Sequence, residues 1–352
     1  MKTLPTGESV VYDRVLRARD GIPMDREQRK KRVALLSVFS NATLVALKLT
    51  VGLAIGAVSV LSEAIHSAVD LVASGIAWYS VRTSGIPADR EHPYGHGKIE
   101  NVSGTVEALL IFLAAGWIVY EAVGKIIRPE PLEMASWGAA VMLLSAAVNT
   151  AVSRKLFQVG RETDSVALIA DGWHLRTDVY TSTGVMAGLG AIWAASHVAP
   201  GVDLNWVDPV AALGVAALIV KAAWDLTRRS ARDLLDARLP GDEVARVEAL
   251  IRNHRPVVKG FHQLRTRKSG HFRFVEFHVK VDPAMTVEAS HRITQELAGE
   301  IRGHFPGASV TIHIEPCDGS CSDRCIEGCL LDEAQRGSAS ARREAGGAPP
   351  AG

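Results

Sequence analysis

The chain has 352 residues, a formal net charge of +1, 47% hydrophobic residues and a mean hydropathy of +0.12. A charge this close to zero excludes the basic footprint of a nucleic-acid-binding protein, and four cysteines bunched at 317, 321, 325 and 329 exclude a disulfide framework spread through a fold. The apolar residues concentrate before about Leu235, as expected for a membrane bundle followed by one small polar domain.

Residues 1–32 are polar and basic, closing on Arg29, Lys30, Lys31 and Arg32, and lack the apolar core of a cleavable signal peptide; they read as a cytoplasmic segment. Within 33–235, runs of the roughly 20 apolar residues that a span requires fall at 33–55, 58–80, 104–126, 135–155, 164–195 and 207–227. Basic residues gather before the first run, between the second and third (Arg82, Arg90, Lys98), between the fourth and fifth (Arg154, Lys155, Arg161) and after the sixth (Arg228, Arg229, Arg232). The positive-inside rule then places both termini in the cytoplasm. Lys125 and Arg128 run against that bias and require snorkelling to the interface. Asn41 and Asn149 read as interhelical hydrogen-bonding residues, and Lys48, late in the first run, needs a carboxylate partner or the interface.

Two apolar runs carry the same ionisable pair. SEAIHSAVD places His66 and Asp70 four residues apart, and DGWHLRTD repeats the spacing with His174 and Asp178. Four residues of helix advance about 6 Å, so each pair shares one face. Two histidines with two aspartates suit a tetrahedral divalent ion, zinc before others. A dication with two carboxylates is formally neutral, which lowers the cost of placing charge at bilayer depth.

Between the second and third runs, GIPADREHPYGHGKIEN breaks helix with Gly and Pro and gathers Asp89, His92 and His96, a candidate second ion site or a solvated turn. After the last run the pattern changes to a soluble α+β domain over 236–316. GDEVARVEALIRNH and TVEASHRITQELAGEIRGHF have helical periodicity, while HQLRTR, FRFVEFHVKV and ASVTIHIEP read as strands. Alternation buries Val275, Phe277, Val279 and Val281, and on the last strand Val310, Ile312 and Ile314. The open face then gathers His278, His313 and Glu315, with His262 on a neighbouring strand and His291 on the adjacent helix, a donor set suited to metal.

Beyond Glu315, CDGSCSDRCIEGC repeats cysteine at every fourth position, ahead of a Gly-, Ala-, Ser- and Arg-rich end that reads as a coreless tail over 317–352. In a reducing compartment such thiols favour zinc or copper(I) over disulfides, but the glycines and aspartates argue against a stable helix here. Metal capture and a disordered free-thiol tail both remain open.

With these residues assembled, the chain resembles the cation diffusion facilitator family. LSEAIHSAVD is similar to its second-span motif, ADREHPYGHGKIE to the following loop, IADGWHLRTD to the fifth-span motif, and LLDARLP, FHQLRTRKSG and VTIHIEPC to its cytoplasmic domain. The resemblance implies a membrane all-α protein of six transmembrane helices followed by a cytoplasmic ferredoxin-like α+β domain, working as a homodimer in a bacterial inner membrane. It implies zinc export in exchange for protons and no enzymatic activity. His66, Asp70, His174 and Asp178 match the transport site, Asp89, His92 and His96 the loop site, and His262, His278, His291, His313 and Glu315 a binuclear site. Lys98 and Asp236 match a charge pair that steadies the dimer. His66 stands where many bacterial relatives have aspartate, a variant that resembles the more zinc-restricted branch, and Glu315 replaces an aspartate of some relatives. The four-cysteine segment lies outside the family pattern. A rival from a different class is a membrane-tethered metal sensor or store, against which paired ligands inside two spans argue.

Overall fold

A computed structural model describes residues 24–55, 58–128, 136–198, 206–319, 321 and 323–345. Two compact units meet in sequence between Leu235 and Asp236. The first comprises six long helices: α1 Met24–Ile55, α2 Val58–Ser84, α3 Lys98–Ile127, α4 Ser136–Thr163, α5 Val166–Val198 and α6 Val207–Leu234.

Among the described residues, three of these are long and apolar enough to cross a membrane by themselves, at Arg26–Ala54, Lys98–Ile127 and Pro209–Leu234. The six-span expectation is thereby narrowed to six long helices of which three meet that criterion. In α5, Asp171, His174, Arg176 and Asp178 set four polar or charged side chains into an otherwise apolar helix.

The bundle packs through small residues. Ala108, Ala115, Ala170 and Ala223 are buried with Ile111, Ile219 and Leu226 in one cluster, while Ala34, Val81, Leu156, Val159, Ala167, Leu168 and Leu175 form another. Large apolar side chains point outward instead, including Phe39, Leu53, Leu109, Leu113, Trp117, Leu218 and Trp224. Hydrocarbon rather than water is the matching solvent for such a surface, and small residues let the helices approach closely.

The first helix starts at Met24, inside the polar segment 1–32 that precedes the first apolar run. Of its basic end, Lys30 is drawn into the bundle, while Lys31 and Arg32 stay exposed. Lys30 is 1% exposed and meets Glu100 at 3.0 Å and Glu27 at 2.9 Å, while Ser84 and Ser165 donate to the same Glu100 carboxylate at 2.8 and 2.5 Å. A buried ion pair is tolerated when hydrogen bonds satisfy its remaining atoms, and this one joins α1, α2 and α3 to the residue preceding α5.

The second unit consists of α7 Gly241–Asn253, β1 Gly260–Ser269, β2 Phe272–Val281, α8 Val287–His304, β3 Ser309–Pro316, α9 Asp323–Glu327 and α10 Glu333–Ala345. Its mixed sheet has the order β1-β2-β3, with β1 and β2 antiparallel and β2 and β3 parallel. The ferredoxin-like expectation is met only at the coarser level of an α+β unit with three strands. Val275, Phe277, Val279 and Val281 are buried against Val247, Ile251, Leu297, Ile301 and Phe305 from the helices, as strand alternation requires. Val310, Ile312 and Ile314 pack on this core while partly exposed, because β3 is an edge strand.

The sequence beyond Pro316, expected to lack any core, is structured over its described part. Leu330 is 4% exposed and belongs to the core cluster of this unit. Around it, the Phe261 amide donates to the Gly328 carbonyl at 3.0 Å, the Leu330 amide donates to the Lys259 carbonyl at 2.9 Å, and Gly260 bridges Cys329 antiparallel. A single leucine and a few edge hydrogen bonds dock what composition alone marks as a tail.

Candidate metal centre

His66 and Asp70 project from α2, and His174 and Asp178 from α5, each pair on one helix face. The shortest contacts run between helices rather than within them. His174 Nε2 lies 3.0 Å from Asp70 Oδ1, and His66 Nε2 lies 3.7 Å from Asp178 Oδ1. Donor atoms of His66, Asp70 and Asp178 fall within 4.8 Å of one another, and His174 approaches this trio through Asp70. Asp70 and His174 are buried; His66 is half exposed, so the site is closed on one side and open on the other. Among buried side-chain atoms, Asp178 Oδ2 and His174 Nδ1 lack a hydrogen-bond partner. Buried donors and acceptors are almost always satisfied, so two orphans beside a trio at ligand spacing are what a cation site presents.

The polar residues of α1 support this centre. Asn41 donates to the Asp70 backbone carbonyl at 3.4 Å, the interhelical role expected of it, and Lys48 donates to Ser67 Oγ at 2.8 Å. Lys48 thus meets a hydroxyl one turn from Asp70. Asp171, fully buried one turn before His174, carries no role in the sequence reading, yet both its oxygens lack a hydrogen-bond partner. The signal that marks it is its position on the His174 face, three residues earlier.

The loop cluster also forms. His92 Nδ1 lies 3.4 Å from Asp89 Oδ1, His96 Nε2 lies 3.5 Å from Asp89 Oδ2, and the two rings are 4.4 Å apart. The amides of His92 and Glu91 donate to Asp89 Oδ1 at 2.6 and 3.0 Å. The His92 amide above all, with both histidines, holds the Asp89 carboxyl below its ordinary range.

In the second unit, sheet register does the work of assembly. His262 pairs with His278 and His278 with His313, which sets three imidazoles in one row across three strands; Lys280 and Glu315 pair in the adjoining row. Glu315 contacts His278 Nδ1 at 2.7 Å, His262 Nε2 at 3.0 Å and Lys280 Nζ at 2.9 Å. His262, His278 and Glu315 have donor atoms within 4.8 Å, whereas exposed His313 lies 3.9 Å from the carboxylate. His291 is not part of this trio: it sits exposed in the first turns of α8. Cross-strand register aligns residues of the sheet, and a helix residue gains no place from it. Beside His262 the register of β1 shifts before Arg265, with Gln263 in the left-handed region at φ 52°, a bulge of the kind that re-aims a side chain.

Residues 34–235 match the cation efflux transmembrane domain, and residues 239–317 match the cytoplasmic domain of cation efflux proteins. The chain belongs to the cation efflux family, the cation diffusion facilitators. An uncharacterized transporter of Synechocystis sp. is 33% identical over 81% of this chain and 90% of its own length. The cation-efflux pump FieF of Klebsiella pneumoniae is 30% identical over 81% and 92%, and that of Cronobacter sakazakii 32% identical over 81% and 92%. Among solved structures, the putative zinc transporter CzrB aligns at 39% identity over 22% of this chain and 96% of that one, with a TM-score of 0.21. The metal-bound C-terminal domain of the CzcD transporter from Thermotoga maritima aligns at 30% identity over 21% and 87%, also with a TM-score of 0.21. This cation efflux protein is therefore an integral membrane transporter and not an enzyme. The two matched segments divide where the two compact units divide.

Proposed function

We propose that this cation efflux protein exports a divalent metal, zinc, from the cytoplasm in exchange for protons. It does so as a homodimer spanning a bacterial inner membrane six times, with both termini cytoplasmic. The supporting observation is the cross-helix meeting of His174 with Asp70 and of His66 with Asp178, which brings two nitrogens and two carboxylates from separate helices to one place. That donor set fits a tetrahedral borderline ion, and two carboxylates balance its charge.

The proton linkage follows from the same contact. A hydrogen bond between His174 Nε2 and Asp70 Oδ1 holds a proton on the line where a metal must bind, because ligation requires a bare ring nitrogen and an ionised carboxylate. Metal entry expels that proton, and its return from the outside displaces metal. An unperturbed imidazole titrates near pH ~6.5, so histidine as a residue type can exchange protons with compartments near neutral pH. The Asp89 loop site and the His262–His278–Glu315 site lie outside this exchange; the latter is a regulatory site that favours the dimer. Sealed vesicles holding the purified protein test the reading: zinc uptake driven by an imposed pH gradient is expected, and uptake indifferent to the gradient overturns the exchange.

A further inference from the structure

Carboxylates that the metal centre does not use lie deep in the bundle. Glu100, Ser103 and Glu107 fall at i, i+3 and i+7 of α3, which puts them on one helix face, and all three are buried. Across from them, Ser165 just before α5 and Asp171 and His174 within it are buried as well. The two helices pack on each other, and a Cβ at Gly104 would stand 2.9 Å from Val166 Cγ1 at the start of α5. The polar residues meet at three levels. At one end Ser165 donates to Glu100 Oε2 at 2.5 Å, in the middle Glu107 and Asp171 lie within electrostatic reach of each other, and at the other end His174 Nε2 lies 3.0 Å from Asp70 Oδ1.

The middle level is the unsatisfied one. Ser103 Oγ donates to Glu107 Oε1 at 3.1 Å, but Glu107 Oε2 and both oxygens of Asp171 lack a hydrogen-bond partner. Ser37 of α1 comes near Asp171 without reaching hydrogen-bond geometry. Among the described residues, Asp171 is the charged group that faces Glu107 from the helices packed on α3, and those that face Asp171 are Glu107, His174 and Asp70. The buried ammonium of Lys30 is engaged by Glu27 and Glu100 at the first level. Two carboxyl groups that share a buried place and leave three oxygens unsatisfied cannot both be ionised. One proton between them removes one charge and supplies one donor.

We propose that Glu107 and Asp171 share one proton and relay protons between the His174–Asp70 contact and the end of α3 that carries Glu100. This relay rests on the proton exchange proposed above and gives the expelled proton its own way out. When metal enters, Asp171 takes the proton that leaves the His174–Asp70 contact, and Glu107 gives up the proton of the pair toward Ser103 and the Glu100 end. The pair is left with the one proton it began with. In the topology proposed above that end of α3 faces the cytoplasm, so the proton leaves without passing back through the metal ligands.

The test compares the full-length wild type with Glu107→Gln, which keeps the shape of the side chain but carries no acidic proton, and with Glu107→Asp, which keeps the acid. In sealed vesicles the maximal rate of pH-driven zinc uptake by E107Q should fall at least about tenfold, since a positioned proton carrier commonly contributes that much or more. The zinc concentration at half-maximal uptake should not change, and E107D should recover part of the rate. Zinc binding at equilibrium by the detergent-purified protein should be the same in all three. The infrared spectrum of the wild type at neutral pH should show the carbonyl stretch of a protonated carboxylic acid, absent from E107Q and shifted in E107D. Wild-type uptake rates in E107Q, an E107D as slow as E107Q, weakened zinc binding in E107Q, or an acid carbonyl band indifferent to both substitutions each overturns the relay. Wild-type uptake that ignores the pH gradient strikes the exchange reading, and the relay with it.

Discussion

At the scale of single residues, the contact between His174 and Asp70 governs what substitutions do. Asp178→Ala removes one of the four donors and leaves His66 without its carboxylate partner at 3.7 Å. Even the loss of a residue that only orients a ligand costs metal affinity about 10- to 100-fold. Loss of a ligand should therefore lower zinc uptake at limiting zinc by at least about tenfold, with the helical circular dichroism spectrum unchanged. Wild-type uptake by well-folded Asp178→Ala would remove it from the site. His66→Asp replaces an imidazole by a third carboxylate, hardening the site and leaving a net negative charge on the filled form. Competition between zinc and cadmium in vesicles should show a weaker preference for zinc, and an unchanged ratio would count against this ligand assignment. Sequence spacing put each His and Asp on a common face but could not say that they would pair across helices. Residues 104 positions apart meet only because α2 packs on α5.

At the scale of elements, the sheet and the segment beyond it carry the expectations. In the absence of metal, burial works to raise the Glu315 carboxyl, but the contacts with His278, Lys280 and His262 outweigh it and hold it at about 2, against an ordinary 4.5. A depressed carboxyl contributes stability that is fully present above pH 4.5 and is lost as pH falls through about 2. Hydrogen exchange of β3 amides in chelator should therefore quicken over that window, and Glu315→Gln should flatten the dependence; identical profiles for the two proteins would refute the pairing. Gly328→Ala drives a methyl group into the Phe261 carbonyl. The docked segment should lift, losing the burial of Leu330, worth about 1.5–3 kcal/mol. Limited proteolysis between 317 and 345 should accelerate, and an unchanged digestion pattern would contradict the docking. The strands were readable from two-residue alternation, whereas the docked segment was not: Ile326, Leu330 and Leu331 among cysteines, glycines and charges repeat no period to detect.

At the scale of the whole molecule, the unit beginning at Asp236 has its own core and can be examined apart from the membrane. Zinc that binds the associated form of this unit more tightly must draw the association equilibrium toward it. Sedimentation of the fragment 236–352 should show a zinc-dependent rise in mass that His278→Ala with His313→Ala abolishes, while the same pair of changes in the full chain leaves residual pH-driven uptake. A fragment whose mass ignores zinc would reduce these histidines to surface residues. The amino-acid sequence by itself determined the division near residue 235, the six long helices, the strand faces and the candidate donors, because each rests on local periodicity or on a motif of fixed spacing. Tertiary structure alone decided that Lys30 is buried against Glu100, that His174 meets Asp70 across two helices, and that Leu330 completes a core. Those outcomes depend on which surfaces meet. A residue's neighbours across an interface belong to another part of the chain, and no window of sequence contains both.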